Sequence, residues 1–178
     1  LCLRAHGWTR NLPKFNKLAC VKSDKVFDES FRFILPGYNL RPLEMSGAVG
    51  IEQLRKLPKL IEGRRRNALH FQEALKDHPV FKIQKETGNS SWFGFSLVLR
   101  PGLPLTRQQV LEEFGKLGFE TRPIVSGNFT KNPVISYMDY TSHGTLPNAE
   151  YIDKNGFFIG NHHYDISQAI QCVADFII

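Results

Sequence analysis

The sequence is poor in cysteine, with only Cys2, Cys20 and Cys172 among 178 residues. Three widely separated thiols give neither a disulfide framework nor the paired CxxC spacing of a zinc ribbon, so idle thiols in a reducing cytoplasm and no resident metal are expected. No apolar run approaches the roughly 20 residues that cross a bilayer, which excludes a membrane-spanning helix. Walker, GxGxxG, GxSxG and HExxH sequences are all missing, which removes the short motifs for phosphate loops, dinucleotide folds, hydrolase elbows and zinc proteases. There is also no starting methionine: Leu1-Cys2-Leu3 leads straight into Arg4 and His6 without a leader pattern. A chain cut from something longer is the expectation.

What is present suits a folded domain, since 42% of residues are hydrophobic and 178 residues can fill one core or one small domain plus part of another. The net charge of +6 is concentrated early: residues 1–89 carry 17 Lys/Arg against 9 Asp/Glu, and residues 90–178 carry 6 against 8. A basic surface of this kind suits an anion, whether nucleic acid, an acidic lipid or a phosphorylated small molecule.

Residues 1–35 scatter Trp8, Phe15, Phe27, Phe31 and Phe33 among polar residues without a period, and read as a connecting segment lying over other structure. Pro36-Gly37 marks a turn, and Pro42 suits the first helical position, where its missing N–H is not needed. Leu43, Gly47, Gly50, Leu54, Leu57 and Ile61 then paint one helical face. Glycine in a helix interior costs about 1 kcal/mol relative to alanine, so Gly47 and Gly50 predict close approach by another backbone. Pro58 is expected to break or kink the helix, with a second stretch over about Leu60–Lys76 carrying a solvated run of Arg64, Arg65 and Arg66.

Phe81–Ile83 and Trp92–Leu99 read as strands, Thr106 as the cap of a helix through Leu117 stopped by Gly118, and residues 119–124 as a short strand. Residues 149–154 read as helix, 156–160 as strand and 166–177 as a closing helix. The fold class expected is α/β (α+β), a mostly antiparallel sheet with helices over one face.

Four groups of polar residues could carry chemistry. His6, between Arg4 and Arg10, suits phosphate binding or proton transfer, or a surface role. Asn39 is either a helix cap or an amide offered to an anion, and Arg41 either serves a ligand or pairs with Glu44. Glu120 and Arg122 share one face of an extended strand, fit for a purine edge and a phosphate or for an ordinary salt bridge. Asn161-His162-His163 makes a weak metal site, because adjacent histidines diverge in extended chain.

The stretch Gly37-Tyr38-Asn39-Leu40-Arg41, with Glu44, Gly50, Gln53-Leu54 and Arg65, resembles the signature of the DegT/DnrJ/EryC1/StrS nucleotide-sugar aminotransferase family of fold type I vitamin B6 enzymes. Arg4 to Arg10, Leu35 to Asn39, Ser91 to Phe95 and Arg122 to Phe129 are similar to its 3-dehydratase branch, which serves deoxysugar (colitose) and O-antigen synthesis. The resemblance covers essentially the whole chain.

It implies a division into the end of a large cofactor domain (1–41), a linking helix (42–78) and a small C-terminal domain (79–178). It also implies a cytoplasmic homodimer with shared active sites, using pyridoxal 5′-phosphate or pyridoxamine 5′-phosphate, a GDP-sugar and glutamate. Asn39 would reach the neighbour's cofactor phosphate, His6 would support catalysis at the margin, and Arg10, Arg41, Glu120 and Arg122 would hold the nucleotide-sugar. The main base would lie upstream, a histidine in a dehydratase or a lysine in a transaminase, so the isolated chain should be inactive. An iron–sulfur relative has a cysteine-rich insertion after the region of Arg10, where only Cys20 stands here. A non-catalytic basic binding module, including one for nucleic acid, is the competing reading; the family resemblance implies neither a nucleic-acid nor a membrane partner.

Overall fold

Phe95, Leu97 and Leu99 are buried while Gly94, Ser96 and Val98 between them are half-buried, the period of two that a pleated strand imposes. A computed structural model describes residues 1–24 and 32–177, in two units, Leu1–Arg55 and Lys56–Ile178. Phe27 and Phe31 lie outside the described residues.

In the first unit the supposed connecting segment has order of its own. Strands β1 (Phe15–Asn16) and β2 (Cys20–Val21) form an antiparallel hairpin. The Asn16 side chain closes it, accepting from Leu18 N and Ala19 N at 3.0 and 2.7 Å. Residues 3–6 pair with 38–40: Tyr38 N donates to Leu3 O, Leu40 N to Arg4 O and His6 N to Tyr38 O. Gly37 crosses Gly7 so closely that an ideal Cβ on it would lie 2.1 Å from Gly7 N.

Helix α1 runs over Glu44–Ala74 without a break, carrying Pro58 inside it. The expected division there does not occur. Proline in a helix interior costs ~3 kcal/mol or more, and burial of Gly63, Asn67, Ala68 and Phe71 beyond it supplies the compensating packing. Pro42 precedes the helix rather than opening it, since the first turn closes from Ser46 N and Gly47 N onto Leu43 O. Nothing lies within 4 Å of a Cβ built on Gly47 or Gly50; the close approach is at Gly63, whose Cβ would stand 1.9 Å from His163 O.

The second unit holds strands β3 (Phe81–Ile83), β4 (Gly94–Leu99), β5 (Thr121–Arg122) and β6 (Gly156–Gly160) in the order β3-β4-β6-β5, with every pair antiparallel. Helix α2 (Arg107–Lys116) begins at a capping box made by Thr106 and Gln109 and ends before Gly118, which has φ +84°. Two 3-10 turns, Phe129–Lys131 and Pro133–Tyr137, lead to α3 (Pro147–Asn155), and α4 (Ser167–Ala174) closes the chain.

The core gathers Phe71 from α1 and Leu75 in the turn after it, Val110 and Phe114 from α2, Ile170 and Val173 from α4, and Phe81, Phe95, Leu97, Phe157 and Ile159 from the sheet. Helices do not cover one face alone. Tyr151 and Ile152 of α3 share a cavity with Ser96 and Val98, so α3 lies on the face opposite Phe95 and Leu97. The Tyr151 hydroxyl donates to Leu99 O at 2.7 Å.

His78, just beyond α1, is buried among these groups. Its Nδ1 accepts from Val80 N and Phe81 N at 3.2 Å each, and Nε2 faces Ala174 O at 3.2 Å. Burial, with the Arg100 guanidinium adding to it and the Ala174 carbonyl opposing, pushes the pKa below its ordinary 6.5. A protonated ring would lose both bonds to Nδ1. The unfolded chain therefore takes this proton more readily, so the contribution is complete above pH 6.5 and is lost as pH falls from 6.5 through the folded pKa. Urea unfolding at a series of pH values is expected to show stability falling in that window, and His78→Gln should flatten this part of the slope.

Among the described residues no helix is long and apolar enough to cross a membrane.

Candidate functional site

In the first unit, Trp8 gathers two of the candidate residues. His6 stands edge-on to its ring at 5.5 Å between centroids, and the Arg10 guanidinium lies 4.0 Å over it, a cation–π stack. His6 has φ 57°, a region that L-residues other than glycine seldom occupy. The buried Trp8 Nε1 has no hydrogen-bond partner among the described residues, an uncommon state for an indole N–H.

Asn39 pairs with Ala5 in an antiparallel bridge and caps no helix, because α1 begins five residues later. Its backbone neighbours are pinned on both sides, yet its exposed side chain makes no hydrogen bond among the described residues. Arg41 is exposed and forms no ion pair with Glu44 among the described residues.

In the second unit, β5 brings Glu120 and Arg122 together. Arg122 Nε and one terminal nitrogen donate to a single carboxylate oxygen of Glu120 at 3.1 and 2.7 Å, with the side chains 77% and 62% exposed for Glu120 and Arg122. Exposed pairs of this kind add roughly 0–1 kcal/mol to stability. Both line a cavity of about 230 Å³ with Arg64, Phe93, Phe158 and Asn161. The Phe93 ring is 71% exposed and 6.0 Å from that of Phe158. Two guanidiniums, one carboxylate and an exposed ring in a space of this size suit a planar heterocycle beside an anion.

The arginine run is not a uniform solvated face. Arg64 lines the cavity, Arg65 donates to Ser90 O and Asn89 O at 3.0 Å each, and of the three only Arg66 is exposed. Arg64, Phe93 and Asn161 were not legible as one site, because they come from α1, the entry to β4 and the exit from β6. Asn128 is structural: its amide donates to Glu150 and its oxygen accepts from Thr130 N.

His162 and His163 stand 4.4 Å apart, with His162 stacked on Tyr164 at 3.9 Å. Burial, then His163 and Arg64, lowers the His162 pKa. Among the described residues no three His, Cys, Asp or Glu side chains converge as metal ligands. The three thiols are free, Cys2 buried and Cys20 exposed.

Residues 1–177 match the DegT/DnrJ/EryC1/StrS aminotransferase family. The chain belongs to this family. It is similar to the GDP-4-keto-6-deoxy-D-mannose 3-dehydratase of Escherichia coli O55:H7, 58% identical over 172 residues that make up 96% of this chain and 44% of that protein. Two solved structures of GDP-4-keto-6-deoxymannose 3-dehydratase are each 56% identical and cover 98% of the chain. The first holds a trapped PLP–glutamate geminal diamine and superposes with a TM-score of 0.90, over 45% of its length. The second is a variant with bound GDP-perosamine, at 0.89 over 46%. The chain thus spans under half the length of these relatives. The DegT/DnrJ/EryC1/StrS assignment also accounts for the fold, a mixed α/β arrangement shared with these structures of fold type I.

Proposed function

We propose that this chain is the C-terminal part of a 3-dehydratase that removes the C3 hydroxyl from a GDP-4-keto-6-deoxyhexose, in a cytoplasmic homodimer serving deoxysugar (colitose) and O-antigen synthesis. Residues 1–41 would close the large cofactor domain, 42–78 form the linking helix and 79–178 the small domain. The observation that carries the reading is 58% identity sustained over 96% of the chain. Glutamate and a GDP-sugar are then the co-substrate and substrate, as the two structural relatives' ligands support.

The residues present fit a phosphorylated pyridine cofactor at one point. Asn39 has an unengaged amide on a backbone pinned through Tyr38 and Leu40, so it can donate to a phosphate oxygen of a cofactor seated mainly in the neighbouring subunit. Pyridoxamine 5′-phosphate, when bound, supplies the electron sink for loss of the hydroxyl. The proton-abstracting base belongs to the upstream portion, and His6 contributes a supporting contact at the margin. Arg10, held over Trp8, and Arg41, exposed near the start of α1, offer guanidiniums to the diphosphate.

For the nucleotide, Glu120 accepts from the N–H edge of guanine while Arg122, already oriented by Glu120, faces its acceptors or a phosphate. Phe93 gives a stacking surface, worth about 1–3 kcal/mol per base in other proteins. In the full-length enzyme, Arg122→Ala is expected to raise KM for the GDP-sugar about tenfold or more, which is ~1.4 kcal/mol. Thermal stability should hardly change, because the ion pair is exposed. Ammonia release in the presence of glutamate checks the reaction itself; formation of an amino sugar without deoxygenation would make the parent a transaminase.

A further inference from the structure

The backbone at Trp92 breaks a rule. Its φ of 51° is one that the Cβ–carbonyl clash makes costly for a bulky residue. Its ring is nevertheless 2% exposed and lies against Phe95 in the core, 6.1 Å between centroids. In an unbroken strand Phe93 and Phe95, two residues apart, would share one face and Trp92 would lie on the other. Here the turn at Trp92 leaves Phe93 71% exposed at the cavity shared with Glu120 and Arg122. Such a conformation persists only where its surroundings over-determine it.

The Trp92 N–H donates to Ser90 Oγ at 2.9 Å, and the group that holds its carbonyl is Asn161, just after β6 and 6% exposed. Its Nδ2 donates to Trp92 O at 2.9 Å and to Arg64 O at 3.0 Å, and its backbone N–H donates to Phe93 O at 3.4 Å. One buried amide therefore ties together the carbonyl before Phe93 and the carbonyl of Arg64, two residues on the wall of the same cavity. Both amide hydrogens are used, so neither aspartate, which lacks them, nor alanine could make these bonds.

Asn67 is a natural comparison. It is 3% exposed and donates to His162 O and Tyr164 O at 2.9 and 2.7 Å. It thus ties α1 to the loop after β6 with no side-chain hydrogen bond to Trp92, Phe93 or Arg64 among the described residues; its one hydrogen bond to Asn161 is long, at 3.4 Å.

We infer that Asn161 is a positioning residue for nucleotide binding, fixing the strained Trp92 backbone and the start of the arginine run so that Phe93 and Arg64 face one base and its phosphate. The inference rests on the nucleotide reading of the Glu120–Arg122 cavity. The geometry makes the contribution one of binding: Asn161 touches backbone carbonyls, and its effect should appear in GDP affinity and in KM, with kcat at saturation preserved.

The test uses the full-length enzyme, with GDP titrated by calorimetry at a temperature where circular dichroism shows each variant folded. Asn161→Ala is expected to weaken GDP binding about tenfold and raise KM similarly, with kcat at saturation within about twofold of the parent. Asn67→Ala should lose comparable stability yet keep GDP affinity within about threefold. Equal weakening by both substitutions would overturn the inference, since general loosening would then explain it. So would unchanged GDP affinity in Asn161→Ala. Arg122→Ala separates the two levels: if it too leaves GDP binding unchanged, the nucleotide reading has failed; if it alone weakens binding, only the role of Asn161 has. Should Asn161→Ala not fold, Asn161→Ser, which retains one donor, is measured with the same expectation of weakened binding. Failure of both to fold would overturn the inference in favour of a purely structural amide.

Discussion

Gly63→Ala is expected to destabilise the chain by about 2–3 kcal/mol, despite alanine's helix preference. The added methyl would stand 1.9 Å from His163 O and 2.8 Å from His163 C, backbone atoms that cannot swing aside. Alanine gains up to about 1 kcal/mol from helix propensity. Forcing α1 and the loop after β6 apart costs about 3 kcal/mol or more, at the upper end of overpacking penalties. Steric cost therefore wins. Urea unfolding measures the difference, and a stability within about 0.5 kcal/mol of the parent chain would contradict the close approach. Gly50→Ala is the internal contrast: with nothing within 4 Å, only the propensity gain applies in this chain.

Phe71→Ala should cost about 3–5 kcal/mol, a large part of the 5–15 kcal/mol that stabilises an ordinary domain. Phe71 has no exposed surface and stacks on Phe95 at 4.1 Å with planes 6° apart. Truncation removes the transferred area, leaves a cavity between α1 and β4, and ends an aromatic contact worth ~0.5–1.5 kcal/mol beyond burial. Phe71→Leu keeps most of the volume and should lose much less. Chemical unfolding of the two variants side by side checks this; equal, small losses would mean that α1 is not anchored to the sheet through this ring.

The core helices and strands were legible where periodicity and punctuation agreed. Thr106 with Gln109, and Gly118 at the far end, bracket α2 as their chemistry requires. Alternation placed β4 to within two residues. The hairpin of the first unit was missed, although Asn16, an asparagine able to bond the backbone two and three residues on, was its available sign. Pro58 misled because local propensity was weighed without the packing beyond it. The two glycines expected to admit another backbone were the wrong pair within this chain, since spacing identifies a helical face and not what approaches it.

By itself the sequence determined the kinds and order of the strands and α-helices from residue 80 onward and, through its motifs, the family. Each of those depends on residues near one another in the chain, where spacing, caps and turn chemistry act directly. Only the tertiary structure decided that Arg64, Phe93, Glu120, Arg122 and Asn161 share one cavity, and that the tight crossing falls at Gly63. Those facts arise from antiparallel pairing and from the seating of α1 against the β6 exit, contacts between residues tens of positions apart. A linear pattern does not encode which distant backbones will meet; the shared core that holds them does.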